Sequence, residues 1–144
     1  METAAIGNVV VPATIENIFD LKDRDLGKLS ADQVRRLNVL DARVDTGATL
    51  LSLPRTLIQQ LGLSQIERKP ARTPTGPSEF GIYEPVRLTV QGRTCVVSVT
   101  EIHETCPVLI GFIALELLDF LVDPKRECLI GNPDHGGEDM IDML

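Results

Sequence analysis

Residues 43–54 read RVDTGATLLSLP, an aspartate, a hydroxyl and a glycine set between apolar residues. Withdrawing a carboxylate from water is costly unless it is hydrogen-bonded, paired or protonated. Asp45 therefore belongs at a turn or at a site that uses it. Asp45-Thr46-Gly47-Ala48 reads as a turn between two strands. Gly47 permits a backbone geometry that other residues resist and lets its N–H approach a neighbouring carboxylate. Thr46 supplies a hydroxyl that donates or accepts, and Ala48 is small enough for a second segment to come close. One carboxylate alone does little hydrolysis. Two that share a proton divide the work: the ionised one takes a proton from water while the protonated one polarises a carbonyl. Such a pair titrates as a unit. The plainer alternative is that Asp45 only caps its turn, for which Asp-Thr-Gly is good chemistry.

The other candidate groups point elsewhere. His103 and His135, with Asp134 beside the latter, read as solvated surface histidines, and no metal site is expected. Asp123 reads as the cap of its own turn. Cys95, Cys106 and Cys128 are odd in number and lack metal-ligand spacing, so each is expected to be a small apolar filler in a reduced, cytoplasmic chain. For Cys106 a redox role is the lesser alternative.

The elements that would hold Asp45 are short and mostly of β type. Residues 8–20 (NVVVPATIENIFD) read as a strand continuing past Pro12, followed by a polar turn over 22–28. Residues 34–44 read as a strand delivering the chain to Asp45, although Ser30 could instead cap a helix opening at 30–37. Residues 49–53 form another strand. Residues 54–63 are the clearest helix: Pro54 suits the first helical position, Leu57, Ile58 and Leu61 share a face, and Gly62 suits the stop. Residues 68–81, with three prolines and two glycines, read as a loop or an open-tipped hairpin. Residues 84–102 form a hairpin turning at Gln91-Gly92-Arg93, with Val86, Leu88 and Val90 answered by Cys95, Val97 and Val99. Residues 106–111 read as a continuous apolar strand, 112–120 as a helix, and 121–130 as a hairpin turning at Asp123-Pro124. The tail 131–144 is polar and reads as mobile, with Met140, Ile141, Met143 and Leu144 able to dock. The pattern predicts a mainly β protein, a compact barrel or sandwich, in a single domain over 1–144. Its N-terminal strand and extension span 1–33.

On these residues VDTGATLLSLP resembles the active-site signature of the retropepsin-like (retroviral-type, clan AA) aspartic proteases, in particular the small single-lobe kind encoded in bacterial genomes. That family carries a second mark downstream, two apolar residues and a glycine followed by a helix. VLIGFIALELLDF matches it, with Leu109, Ile110 and Gly111 as the motif. Between the marks the family places a flap hairpin, and here Thr73, Pro74, Thr75, Gly76, Pro77 and Ser78 fall at its tip. The resemblance implies a closed β-barrel or sandwich lobe with a flap and one or two short helices. It also implies a symmetric homodimer: there is one Asp-Thr-Gly, and VDPK at 122–125 lacks the glycine. Asp45 from each subunit would form the catalytic dyad, Thr46, Gly47 and Ala48 would support it, and the substrate would be a polypeptide paired like a strand beneath the flap. No cofactor is implied. The flap departs from the retroviral pattern, because Pro77 has no N–H to donate to substrate. Gly111 read alone is only a helix-start glycine. The runner-up to an aspartic endopeptidase is a non-catalytic dimeric peptide-binding or scaffolding module with the same fold. An unrelated small β-barrel binding domain is the third reading.

Bulk properties agree with a folded enzyme or binding domain and exclude other classes. The chain has 144 residues, 43% of them apolar, with four Phe, one Tyr and no Trp. Its core must be built from Leu, Ile and Val. A formal charge of −7 with scattered Lys and Arg argues against a nucleic-acid surface. No stretch approaches the roughly 20 apolar residues of a membrane span. METAAIGNVVVP has no basic region and too short an apolar run for a signal peptide.

Overall fold

The computed structural model describes residues 9–143. In chain order the elements are β1 (Val10–Asn17), α1 (Ile18–Asp25), β2 (Arg36–Val44), β3 (Leu51–Pro54), α2 (Arg55–Gln60), β4 (Gln65–Thr73), β5 (Gly76–Val90), β6 (Arg93–Ile102), β7 (Leu109–Ile110), α3 (Phe112–Leu118), β8 (Phe120–Asp123) and β9 (Cys128–Gly131). The protein is mainly β. A seven-stranded sheet runs β1-β2-β7-β3-β6-β5-β4, and β1 also pairs with β5. That extra pairing closes six of the strands into a ring and leaves β4 hanging on β5 outside it. β8 and β9 form a separate two-stranded sheet.

Alternation places the apolar residues inside the ring. Val11, Ala13 and Ile15 of β1, Ala42 and Val44 of β2, Leu51 and Leu53 of β3, Val86, Leu88 and Val90 of β5, and Val97 and Val99 of β6 are buried in one cluster. α3 adds Ala114, Leu115 and Leu118, and α2 adds Ile58. Each buried Val, Leu or Ile stabilises the fold by about 2 kcal/mol relative to exposure. The β5–β6 hairpin turns where the alternation stops, with Gln91 and Gly92 both at positive φ (50° and 82°), the geometry favoured by two-residue hairpins.

Several expectations are corrected. The first strand ends at Asn17, whose side chain accepts from the N–H groups of Phe19 and Asp20 and so starts α1 where a strand and a polar turn were expected. Ser30 caps only a short 3-10 turn at Ala31–Gln33, and Arg36–Val44 is strand. Pro54 closes β3 and caps α2 from outside instead of occupying its first helical position. Within 106–111 only Leu109–Ile110 pairs; Cys106 instead sits in a turn, its N–H bonded to His103 O at 3.0 Å. Cys106 is exposed, so it is no core filler. Cys95 and Cys128 are half-buried. Burial first, and the charge of Asp139 second, push the Cys95 thiol up to about 11, which leaves it unreactive at neutral pH.

The tail makes several polar contacts with Asp119 and Arg93. His135 Nδ1 lies 2.7 Å from Asp119 Oδ2 and its Nε2 lies 3.1 Å from Asp142 Oδ1. The Met140 N–H donates to Asp119 Oδ2 at 3.1 Å, and the Arg93 guanidinium donates to Gly137 O. His135, expected on the solvated surface, is 11% exposed at its side chain. The first eight residues of the expected N-terminal extension lie outside the described residues. Among the described residues, no helix is long and apolar enough to cross a membrane.

Candidate active site

The Asp45 loop is built by two short strands and a helix start. β7 runs parallel to β2 and antiparallel to β3, so Ile110 lies between Val44 and Leu51. The chain leaves β2 at Val44, makes the Asp45–Leu50 loop, and returns as β3. The Asp45 N–H donates to Ile110 O at 3.0 Å, and the Ala48 N–H returns to Asp45 O at 3.0 Å. The Gly47 N–H donates to Asp45 Oδ1 at 2.8 Å, which fixes one carboxylate oxygen against the backbone. Asp45 is half-buried, and Thr46 and Gly47 are exposed beside it.

The second motif holds the first. The Gly111 N–H donates to Leu50 O at 2.8 Å, the Phe112 N–H to Ala48 O at 3.0 Å, and the Ile113 N–H to Thr49 O at 3.1 Å. The first N–H groups of a helix have no partner inside it; here the loop's carbonyls supply them. Gly111 sits directly beneath that loop. A Cβ there would stand 2.6 Å from Thr49 C and 2.7 Å from Ala48 O, inside van der Waals contact, and would strike Leu50 O as well. Its φ of −84° is open to any residue. The glycine is therefore a requirement of space and more than a helix-start residue. Leu109 pairs with Arg43 and Ser52, and Ile110 is fully buried. Asp45, Thr46, Gly47, Ala48, Leu109, Ile110 and Gly111 thus form one unit.

The six residues expected at the flap lie together at the tip of the β4–β5 ribbon. Thr73 ends β4, Pro74 and Thr75 form the tip, and Gly76, Pro77 and Ser78 open β5. The Thr73 hydroxyl donates to Gly76 O at 2.6 Å across the tip, and Gly76 has φ +123°. Pro77 sits in register with Arg72 without breaking the ribbon.

Sequence reading missed the side chains at the ribbon's base. The Tyr83 hydroxyl donates to Glu101 Oε1 at 2.8 Å, and Arg55 Nε donates to Glu101 Oε2 at 3.1 Å. From the next loop, Glu104 accepts from both N–H and Oγ1 of Thr56, at 2.9 and 2.8 Å, and so caps α2. No local pattern marks these pairs, since their members stand 18 to 48 positions apart.

No family model and no curated protein matches the sequence. Among solved structures, the chain is similar to the solution structure of simian foamy virus (mac) protease, with a TM-score of 0.47 and 19% identity over 76% of this chain and 93% of that one.

Proposed function

We propose that the protein is an aspartic endopeptidase of the retropepsin type, working as a symmetric homodimer on polypeptide substrate. The observation that carries this reading is the Asp45 loop: a carboxylate held at one oxygen by the Gly47 N–H and braced from below by Gly111 and the first N–H groups of α3. Rigid presentation of a carboxylate suits a group that must meet a second carboxylate and a water at fixed distances. The exposed Thr46 belongs to the same face and is available to a second copy.

In the dimer the two Asp45 carboxylates share one proton, as like charges in contact cannot both ionise. The ionised member takes a proton from water, which attacks the peptide carbonyl. The protonated member donates to the carbonyl oxygen. The tetrahedral species then collapses as the first carboxyl passes the proton it took from water to the leaving nitrogen and the second takes back a hydroxyl proton, which restores the singly protonated pair. No covalent intermediate with the enzyme forms. Thr46, Gly47 and Ala48 hold the loop, and the ribbon tip at Thr73–Ser78 covers an extended peptide, with Pro77 removing one potential donor to substrate. A chain that offers one carboxylate per copy must lose activity on dilution below its dimer constant.

The test is incubation of the chain with a mixed peptide library across pH and concentration, beside Asp45→Asn and a pepstatin-type inhibitor. Cleavage that vanishes in the variant and on dilution is the expected result. Cleavage undiminished in Asp45→Asn would end the catalytic assignment. A dimer that binds peptides without cutting them would return the scaffolding reading.

A further inference from the structure

The β4–β5 ribbon leaves the barrel with little to hold it. Along β4, Gln65 to Pro70 are exposed on both faces, and towards the tip of β5 the last buried residue is Ile82. An isolated two-stranded ribbon is marginally stable in water, so its base decides its pitch. At that base the ladders are interrupted. The β4–β5 register shifts between Gln65 and Glu67, and the β5–β6 register shifts between Tyr83 and Val86. β1 joins β5 only from Val86 onward. Glu84 and Pro85 therefore lack ladder partners in β6 and β1. At these two residues the Glu84 N–H donates to Ser64 O at 3.0 Å and the Ser64 N–H to Glu84 Oε1 at 2.8 Å, and beyond them only Ile82 and Tyr83 pair with β6, at Thr100 and Val99. Shifts of this kind bend a strand and leave residues unpaired, which is what a hinge needs.

Beside this weak point lies an open cleft of about 360 Å3 between ribbon and barrel, its lining including Gln65, Arg68, Glu79 and His103. Tyr83, Glu101 and Arg55 border the same cleft and form a chain from ribbon base to β6 to α2. Bonds to a carboxylate are roughly twice as strong as neutral ones. Burial first, and the Glu101 carboxylate second, push the Tyr83 phenol above its ordinary value, so the hydroxyl stays a donor across the working range.

We propose that Tyr83, Glu101 and Arg55 are the clasp of a hinge at residues 81–85 that sets the pitch of the β4–β5 ribbon. Tyr83 and Glu101 are positioning residues: they act on substrate through the ribbon they hold. The clasp itself is independent of chemistry, whereas its effect on peptide capture rests on the protease reading above.

The test is 15N relaxation on the full chain with Y83F and E101Q, alongside thermal unfolding. Y83F removes one hydroxyl and keeps the ring. The expected result is a block change over residues 67–81, either order parameters falling from about 0.85 towards 0.6 or new microsecond-to-millisecond exchange, with β1 and β6 unaltered. E101Q, which weakens both bonds, produces the same block change. Ribbon relaxation identical to the parent overturns the clasp. So does loosening of ribbon and barrel together, which would mark a general loss of stability. If the parent cleaves peptides, Y83F raises KM more than it lowers kcat, and equal effects on both would remove the link to capture. If the parent cleaves nothing, the protease reading fails while the relaxation result still decides the hinge.

Discussion

At Gly111 a methyl group has nowhere to go. The atoms it would meet are backbone of the Asp45 loop, which cannot swing aside as a long side chain does. Gly111→Ala must lift the loop or push α3 away, and overpacking of that kind costs about 3 kcal/mol. A fall in Tm of about 10 °C is expected by thermal unfolding; an unchanged Tm would mean the loop is softer than its hydrogen bonds imply. Gly47 is a milder case. A Cβ there would stand 3.2 Å from Asp45 Oδ1, close enough to displace the carboxylate by a few tenths of an ångström without unfolding anything. Gly47→Ala is expected to keep the parent Tm within a few degrees and to lower peptide cleavage about tenfold, since small misplacements of reacting groups are costly. Full activity in that variant would count against a fixed Asp45.

Between strands, closure of the ring depends on a buried acid. Glu16 of β1 is 4% exposed, and it accepts from Arg36 of β2 at 2.8 Å and from Arg87 of β5 at 2.7 Å. Both guanidinium groups reach water at their outer edges, so the pair is less costly to bury than a dry one. Glu16→Gln keeps the shape but leaves two cations facing a neutral amide. A loss of about 2 kcal/mol is expected, read as a lower urea midpoint with unchanged slope. An unmoved midpoint would show that desolvation of Glu16 cancels its bonds. The β5–β6 hairpin was legible in the sequence because Val86, Leu88 and Val90 alternate up to Gln91-Gly92. The Asp45 loop was legible because its chemistry is local, four residues between apolar runs. α1 was not, because the apolar residues from Val9 to Phe19 run on through the point where the Asn17 side chain turns strand into helix. The Glu16 pairings, the Tyr83–Glu101 clasp and the Asp119–His135 contact join residues 16 to 71 positions apart, and no periodicity reports a long-range partner.

For the whole molecule, charge partnerships set the pH range of stability. Burial works to raise the Glu16 carboxyl, but the bonds from Arg36 and Arg87 outweigh it and hold it below its ordinary 4.5. The Arg35 guanidinium, as the largest influence, does the same for Asp20 against an ordinary 3.8. Asp119, although burial alone would raise it, is lowered by His135, Asn132 and the Met140 N–H. A depressed folded value gives stability that is complete above the ordinary value and is lost as pH falls through the folded one. His135 works in the opposite sense. Asp119 first, then Asp142, raise it above its ordinary 6.5. Its contribution is complete below 6.5 and is lost as pH rises through the raised folded value. Burial works against both carboxylates. Glu116 borders the same pocket as His135, and Arg93 donates to the nearby carbonyls of Asp119 and Gly137. Tm should therefore be highest between about pH 5 and 6.5, fall on the acid side as the carboxylates protonate, and fall on the alkaline side as His135 loses its proton. The general repulsion of a chain of net charge −7 also grows with pH, so the alkaline slope alone is ambiguous. His135→Gln separates the two. If the clasp on Asp119 and Asp142 is responsible, the variant loses stability at pH 6 and shows a flattened alkaline limb. An alkaline limb as steep as the parent's would assign the whole slope to net charge and leave the tail contact without a pH role.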